Sequence, residues 1–146
     1  MALATARFVQ TGTQNSTPAN WGTTLVQGWY NTVRKATPQP TPLVTHVVSG
    51  TPSISSFFLQ APGLWLITAA VVFNGQSGTL SLCRNGILPA NTMITSSVVA
   101  TPCCSILREF DVGDAVVSAW KPAAAAAMLQ ASDDQNFISF AYLGAC

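Results

Sequence analysis

The chain has 146 residues and a mass of 15.3 kDa, with 49% hydrophobic and 8% charged residues and a formal net charge of +1. That length makes one domain with a core of its own, and basic residues scattered singly, apart from Arg34-Lys35, exclude the footprint of a nucleic-acid binder. Charge so far below the roughly 25% of an average domain points to surface buried in an assembly, because stable interfaces resemble a domain core cut in half.

The opening "MALATARFVQ" lacks the basic start and sustained apolar core of a signal peptide, which leads to the expectation of a protein made in the cytoplasm. Residues 1–8 are expected as an N-terminal arm and "RFVQTG" as a short strand within a single domain spanning 1–146. "QNSTPANWG" is a polar loop; its Asn15-Ser16-Thr17 sequon matters only in a secreted chain. "TTLVQGWYNTV" is a second extended piece, and the alternating prolines of "KATPQPTPLV" suit an extended crossing. "LVTHVVSG" and "ISSFFLQAPG" are two further strands with a turn at Gly50-Thr51-Pro52.

The stretch "APGLWLITAAVVFNG" is the most apolar of the chain. Its ten residues from Leu64 to Phe73 fall short of the roughly 20 that a membrane helix needs. Pro62-Gly63 and Asn74-Gly75 bound it, and its β-branched content favours a strand over a buried helix. Trp65, Ile67, Ala69, Val71 and Phe73 alternate with Leu66, Thr68, Ala70 and Val72, so both faces are apolar. An antiparallel sheet usually turns one face to water. A strand apolar on both sides therefore predicts a partner subunit on the second.

"TLSLCRNG" alternates with Leu80 and Leu82 on one face, and "NTMITSSVVA", "CSILREFDVG", "DAVVSAW" and "NFISFAYLG" complete the strand series. "PAAAAAMLQA" from Pro122 has helix propensity but no polar face, and is expected as a loop with at most one helical turn. Cys83, Cys103, Cys104 and Cys146 match no zinc spacing and suit small packed residues rather than bridges.

Chemistry is sparse. His46 is the single histidine, "GQSG" is not a nucleophile elbow, and a hydroxyl-based triad has no obvious members. Glu109, Asp111, Asp114, Asp133 and Asp134 sit in turns or loops, the usual place for such side chains. Trp21, Trp29, Tyr30 and Trp120 stand near loops or strand ends, where they either pack or stack on a ligand. No catalytic, cofactor or metal site is expected.

Four motifs in order, "FFLQAPGLWLITAAVVF", "LSLCRNG", "ILREFDVGDAVVSAW" and "NFISFAYLG", resemble the superfamily of tumour necrosis factor and the globular head of complement component one q, across Phe57 to Gly144. Trp65 stands where the family pattern has Tyr, and the first fifty residues match only loosely. The resemblance implies an all-β, single-domain antiparallel sandwich, a jelly roll of about ten strands forming a homotrimer. Carried over by position, Leu66, Thr68, Ala70, Cys103, Ser105, Phe137, Ser139 and Ala141 would face neighbouring subunits. Trp65, Ile67, Phe73, Ile138, Phe140 and Tyr142 would fill the subunit core. Some members of the superfamily bind calcium; no oxygen-rich cage is evident here, and no metal is expected. The chain shows no collagen-like stalk and no anchor, so the expected role is structural: a trimeric virion component, a phage capsid decoration (cement) protein bound to a major capsid protein. The alternative is a receptor- or carbohydrate-binding trimeric tip of a tail fibre or cell-surface structure. Neither reading involves nucleic acid or a membrane.

Overall fold

The computed structural model describes residues 4–10, 14–15, 33–36, 43–49, 54–74, 77–86, 89–122, 128–129 and 136–145. Period-two burial governs its strands, because successive side chains in an extended chain point to opposite faces. β1 (Ala4–Gln10), β2 (Gln14–Asn15), β3 (Val33–Ala36), β4 (Val44–Ser49) and β5 (Ile54–Leu59) occupy the first part of the chain. β6 (Gly63–Ala70) is the centre of the apolar stretch, followed by β7 (Phe73–Asn74) and β8 (Gly78–Arg84). A 3-10 turn (Pro89–Asn91) leads to β9 (Thr92–Thr95), then β10 (Cys103–Phe110), β11 (Ala115–Pro122), β12 (Met128–Leu129) and β13 (Phe137–Gly144).

Two five-stranded antiparallel sheets form a sandwich: sheet one in the order β10-β6-β13-β1-β3 and sheet two in the order β4-β5-β11-β8-β9. A short ribbon, β2-β12-β7, accompanies them. The fold is thus all-β, and the ten strands of the two sheets agree with the number expected. Residues 4–8 of the expected arm lie within β1, paired to β13 from Ala4↔Tyr142 through Phe8↔Ile138. Their alternation of small and apolar residues suits a sheet position: Ala6 and Phe8 are buried, whereas Thr5 and Arg7 are exposed. The 123–127 part of the alanine-rich stretch, the "QNSTPANWG" loop beyond Asn15, Trp21, Trp29, Tyr30, Asp133, Asp134 and Cys146 lie outside the described residues.

The core lies between the sheets. Ala6, Phe8, Trp65, Ile67, Ala69, Cys104, Phe110, Ile138 and Phe140 of sheet one meet Val44, Phe57, Leu59, Leu80, Leu82 and Val116 of sheet two. Phe57 is the aromatic hub, with ring centroids 4.8 Å from Phe8 and 5.3 Å from Phe140. These tilted rings avoid face-to-face repulsion and add to simple burial. Trp65 is buried because its indole N–H donates to Ala61 O at 3.1 Å. Asn136, wholly buried, accepts the Val72 N–H at 2.8 Å and so ties the start of β13 to the end of β6.

Local chemistry sets the strand ends. Asn85 takes φ 59° beside Gly86, as the Asn-Gly step after β8 predicts. Gly63 opens β6 with φ 137°, and a Cβ there would stand 2.2 Å from Gly144 O, so only glycine lets β6 and the end of β13 approach this closely.

Candidate assembly face

Sheet one turns its second face away from the sandwich core, and the eight residues expected against neighbouring subunits lie together there. Pairing places them in cross-strand rows. In one, Ala141, Leu66 and Leu107 stand side by side; in the next, Ser139, Thr68 and Ser105; in the third, Phe137, Ala70 and Cys103. Leu66 is 39% exposed, an unusual fate for a leucine in the central part of a sheet. Thr68, Ala70, Phe137, Ser139 and Ala141 are half-buried, while Cys103 and Ser105 are exposed.

Leu107 joins this face although the sequence reading left it out, and a further exposed leucine, Leu143, lies at the end of β13. Leu107 is 58% exposed and neighbours Leu66, and Leu143 is 44% exposed at the register shift near the end of β13. For Leu107 the signal was present: it lies two residues beyond Ser105, on the same side of β10. Leu143 could not be found this way, because the irregularity between Tyr142 and Gly144 breaks the alternation that would assign its side.

Polar groups on the face are largely satisfied already. Thr68 Oγ1 and Ser105 Oγ share a hydrogen bond of 2.9 Å. The Arg7 guanidinium lies 4.4 Å from the centroid of the Phe137 ring, so the one described cation here rests on an aromatic face. Covering such a surface costs little in broken hydration compared with a face of unpaired charges.

The residues expected in the subunit core point the other way. Trp65, Ile67, Phe73, Ile138 and Phe140 are buried. Tyr142 is only half-buried: its ring packs on Trp65 at 5.0 Å, and its hydroxyl reaches outward to donate to Pro62 O at 3.0 Å. A phenol needs a polar partner, which the rim of the core supplies and its centre does not.

At one end of the sandwich a polar lock joins the sheets. Arg84, at the end of β8, donates through Nη2 to Asp114 Oδ2 and lies 3.6 Å from Asp111. Asn85 Nδ2 donates to Asp114 Oδ1 at 2.9 Å, and the Asp111 N–H donates to Asp114 Oδ2 at 2.7 Å. Asn85 Oδ1 in turn accepts the Ala115 N–H at 2.8 Å. Burial pushes the Asp114 carboxyl up, but the hydrogen bonds from Arg84, Asn85 and the Asp111 backbone, with the Arg84 charge, outweigh it and hold the pKa below the ordinary value. An open depression of about 380 Å³ beside this lock is lined by Pro62, Gly63, Arg84, Glu109, Phe110, Asp111 and Ala145. Arg84 is already committed to Asp114, and Glu109 and Asp111 stand in solvent.

The cysteines divide between faces. Cys104 is buried and its thiol donates to Leu80 O at 3.3 Å; burial, with the nearby Cys103 and Cys83 thiols, pushes its pKa up to about 12. Cys83 is buried and also shifted up by burial, whereas Cys103 is exposed on the outer face of sheet one. Adjacent strand residues point oppositely, which is why Cys103 and Cys104 remain free thiols. Among the described residues no group of His, Cys, Asp or Glu is placed to hold a metal ion. No helix of the described residues is long and apolar enough to cross a membrane.

No family model matches the chain, and none of the curated proteins matches it. Solved structures do. Murine APRIL at pH 5.0 is 12% identical, with a TM-score of 0.64 over 97% of this chain and 100% of that one. Eiger TNF from S. frugiperda is 13% identical, with a TM-score of 0.59 over 100% and 96%. GITRL from bushbaby is 14% identical, with a TM-score of 0.57 over 97% and 95%. Full-length coverage in both directions, together with the two antiparallel sheets, makes the fold of this chain a tumour necrosis factor-like jelly roll.

Proposed function

We propose that the chain is a non-enzymatic subunit of a homotrimer, joined through the outer face of sheet one. The observation that carries this reading is the row Ala141, Leu66 and Leu107, in which the two leucines are exposed in the single chain. Contiguous exposed leucines on a rigid sheet mark a contact surface, and the internal Thr68–Ser105 bond makes that surface ready to be covered. We place the trimer as a structural component of a virus particle, a decoration protein seated on a phage capsid shell. The low charge of the chain supports a role in which much of the surface is buried in a larger assembly.

Native mass measurement tests the first part: a species of three 15.3 kDa chains is expected at micromolar concentration, and a persistent monomer overturns it. Co-sedimentation with cognate shells tests the second. A trimer that stays in the supernatant removes the decoration role and leaves the assembly intact. A receptor- or carbohydrate-binding tip is then favoured by the exposed Val98 and Val99 in the β9–β10 connection, an apolar loop surface suited to a partner. Binding to host cells or glycans, lost in Val98→Asp, is the outcome expected for that role.

A further inference from the structure

His46 lies on β4, the edge strand of sheet two, opposite Phe57 of β5. Its ring stacks on Phe57, with centroids 4.8 Å apart and planes at 21°, and it approaches Phe8 of β1 at 5.8 Å. Phe8 in turn touches Phe57 and Phe140. The imidazole thus closes the seam where the β4 edge of sheet two meets β1 of sheet one. Nε2 is buried and has no hydrogen-bond partner among the described residues.

A neutral imidazole fits this aromatic seat with one unmet polar atom. An imidazolium carries a charge and donors on both nitrogens, and needs an acceptor or a carboxylate. No carboxylate comes from the neighbouring strands: β1, β3, β4, β5 and β13 contain no Asp or Glu. Their ionisable groups are Arg7, whose guanidinium rests on Phe137, Arg34 and Lys35 of β3, and Tyr142, whose hydroxyl is bound to Pro62. All three charged groups share the sign of the imidazolium. The ring is half-buried, and stacking on Phe57 offers cation–π attraction but no acceptor for the added N–H. Burial accordingly holds the His46 pKa below its ordinary value of 6.5.

We propose that His46 is a proton-sensitive clasp: neutral, it closes the β1–β4 seam, and when protonated it releases that edge while the β6–β10–β13 region stays folded. The sign follows from linkage. A base whose folded pKa is depressed leaves stability intact above its ordinary value and lowers it as pH falls below that value towards the folded pKa.

Because the chain has a single histidine, its NMR titration is unambiguous, and the midpoint is expected below that of a free histidine. Native-state hydrogen exchange, corrected for intrinsic rates, is expected to show β1 and β4 amides losing protection between about pH 8 and about pH 5, with β6 and β10 unchanged. His46→Phe keeps the aromatic seat and should abolish that loss; His46→Gln, polar but not titratable, should do the same if Phe packs badly. A midpoint at or above the free-histidine value, or an acid loss that persists in both variants, overturns the clasp. The result does not depend on whether the chain is a monomer or a trimer.

Discussion

On the outer face of sheet one, Thr68 and Ser105 share a hydrogen bond of 2.9 Å on an exposed surface. On the outer face of sheet two, Ser81 and Thr95 share one of 2.8 Å, and Ser81 is wholly buried. The same contrast holds for the apolar neighbours: Leu66 and Leu107 are open, while Cys83, Val117 and Ala119 are buried. Both sheets therefore have strands that are apolar or neutral on two sides, but the β8–β11 part of sheet two is buried on its second face within the same chain, while Val47 of its edge strand β4 stays exposed. Two-sided apolarity says that a face will be covered. It does not say whether the cover is the chain itself or another copy.

Charges placed on each face break the comparison most sharply. Ala119→Glu puts an unpaired carboxylate into a fully buried site and is expected to cost on the order of 3–5 kcal/mol, enough to lose the cooperative thermal transition. Next in size is the lock that holds the sheets together at one end. Arg84→Met removes the charge-assisted partner of Asp114, with an expected loss of about 2 kcal/mol by urea denaturation. The Asp114 pKa is depressed, so its contribution is present above the ordinary carboxylate value and is lost as pH falls through the folded one. Acid sensitivity in that range should shrink in Arg84→Met, and an unchanged acid limb would show that Arg84 does not sustain the shift.

The hydroxyl pairs sharpen the contrast. Ser81→Ala breaks a bond made by a buried group and should cost about 1 kcal/mol in the thermal midpoint analysis. Leu66→Glu is expected to change subunit stability by about 1 kcal/mol or less, because its side chain is 39% exposed and outside the sandwich core. The same substitution should abolish the proposed trimer, leaving a monomer in native mass measurement. Ser105→Ala gives the smallest effect, near zero in a dissociated chain. Equal losses for Ser81→Ala and Ser105→Ala would erase the distinction between the two faces.

Much of this was legible from residues alone. The alternation through Leu64–Ala70 assigns Trp65 and Ile67 to one side of β6 and Leu66 and Thr68 to the other, and the first pair is buried while Leu66 is exposed and Thr68 half-buried. The alternation of "TLSLCRNG" puts Leu80 and Leu82 on one face and says nothing of Ser81 on the other, which is buried as well. Small polar residues carry no signal of burial until a partner such as Thr95 is placed beside them. The strand "LVTHVVSG" holds His46 as expected, but nothing local tells that its Nε2 has no partner among the described residues, beside Phe8 and Phe57 from two other strands. Asp111 and Asp114 were read as turn residues. They do flank a turn, but Asp114 also anchors Arg84 and Asn85, thirty and twenty-nine positions away.

What the sequence determined by itself was local: where the chain is extended, which residues of each strand share a side, and where Pro62-Gly63, Asn85-Gly86 and Gly113 turn it. Those properties follow from the sterics of a few adjacent residues and the period of two. Only the tertiary structure decided that β13 lies between β6 and β1, that β8 and β11 are buried on their second face while Leu66 and Leu107 stay open, and that His46 Nε2 has no partner among the described residues. Each of these depends on which distant segments the folded chain brings together. Residues scores of positions apart then supply the burial and hydrogen bonds that no local pattern contains.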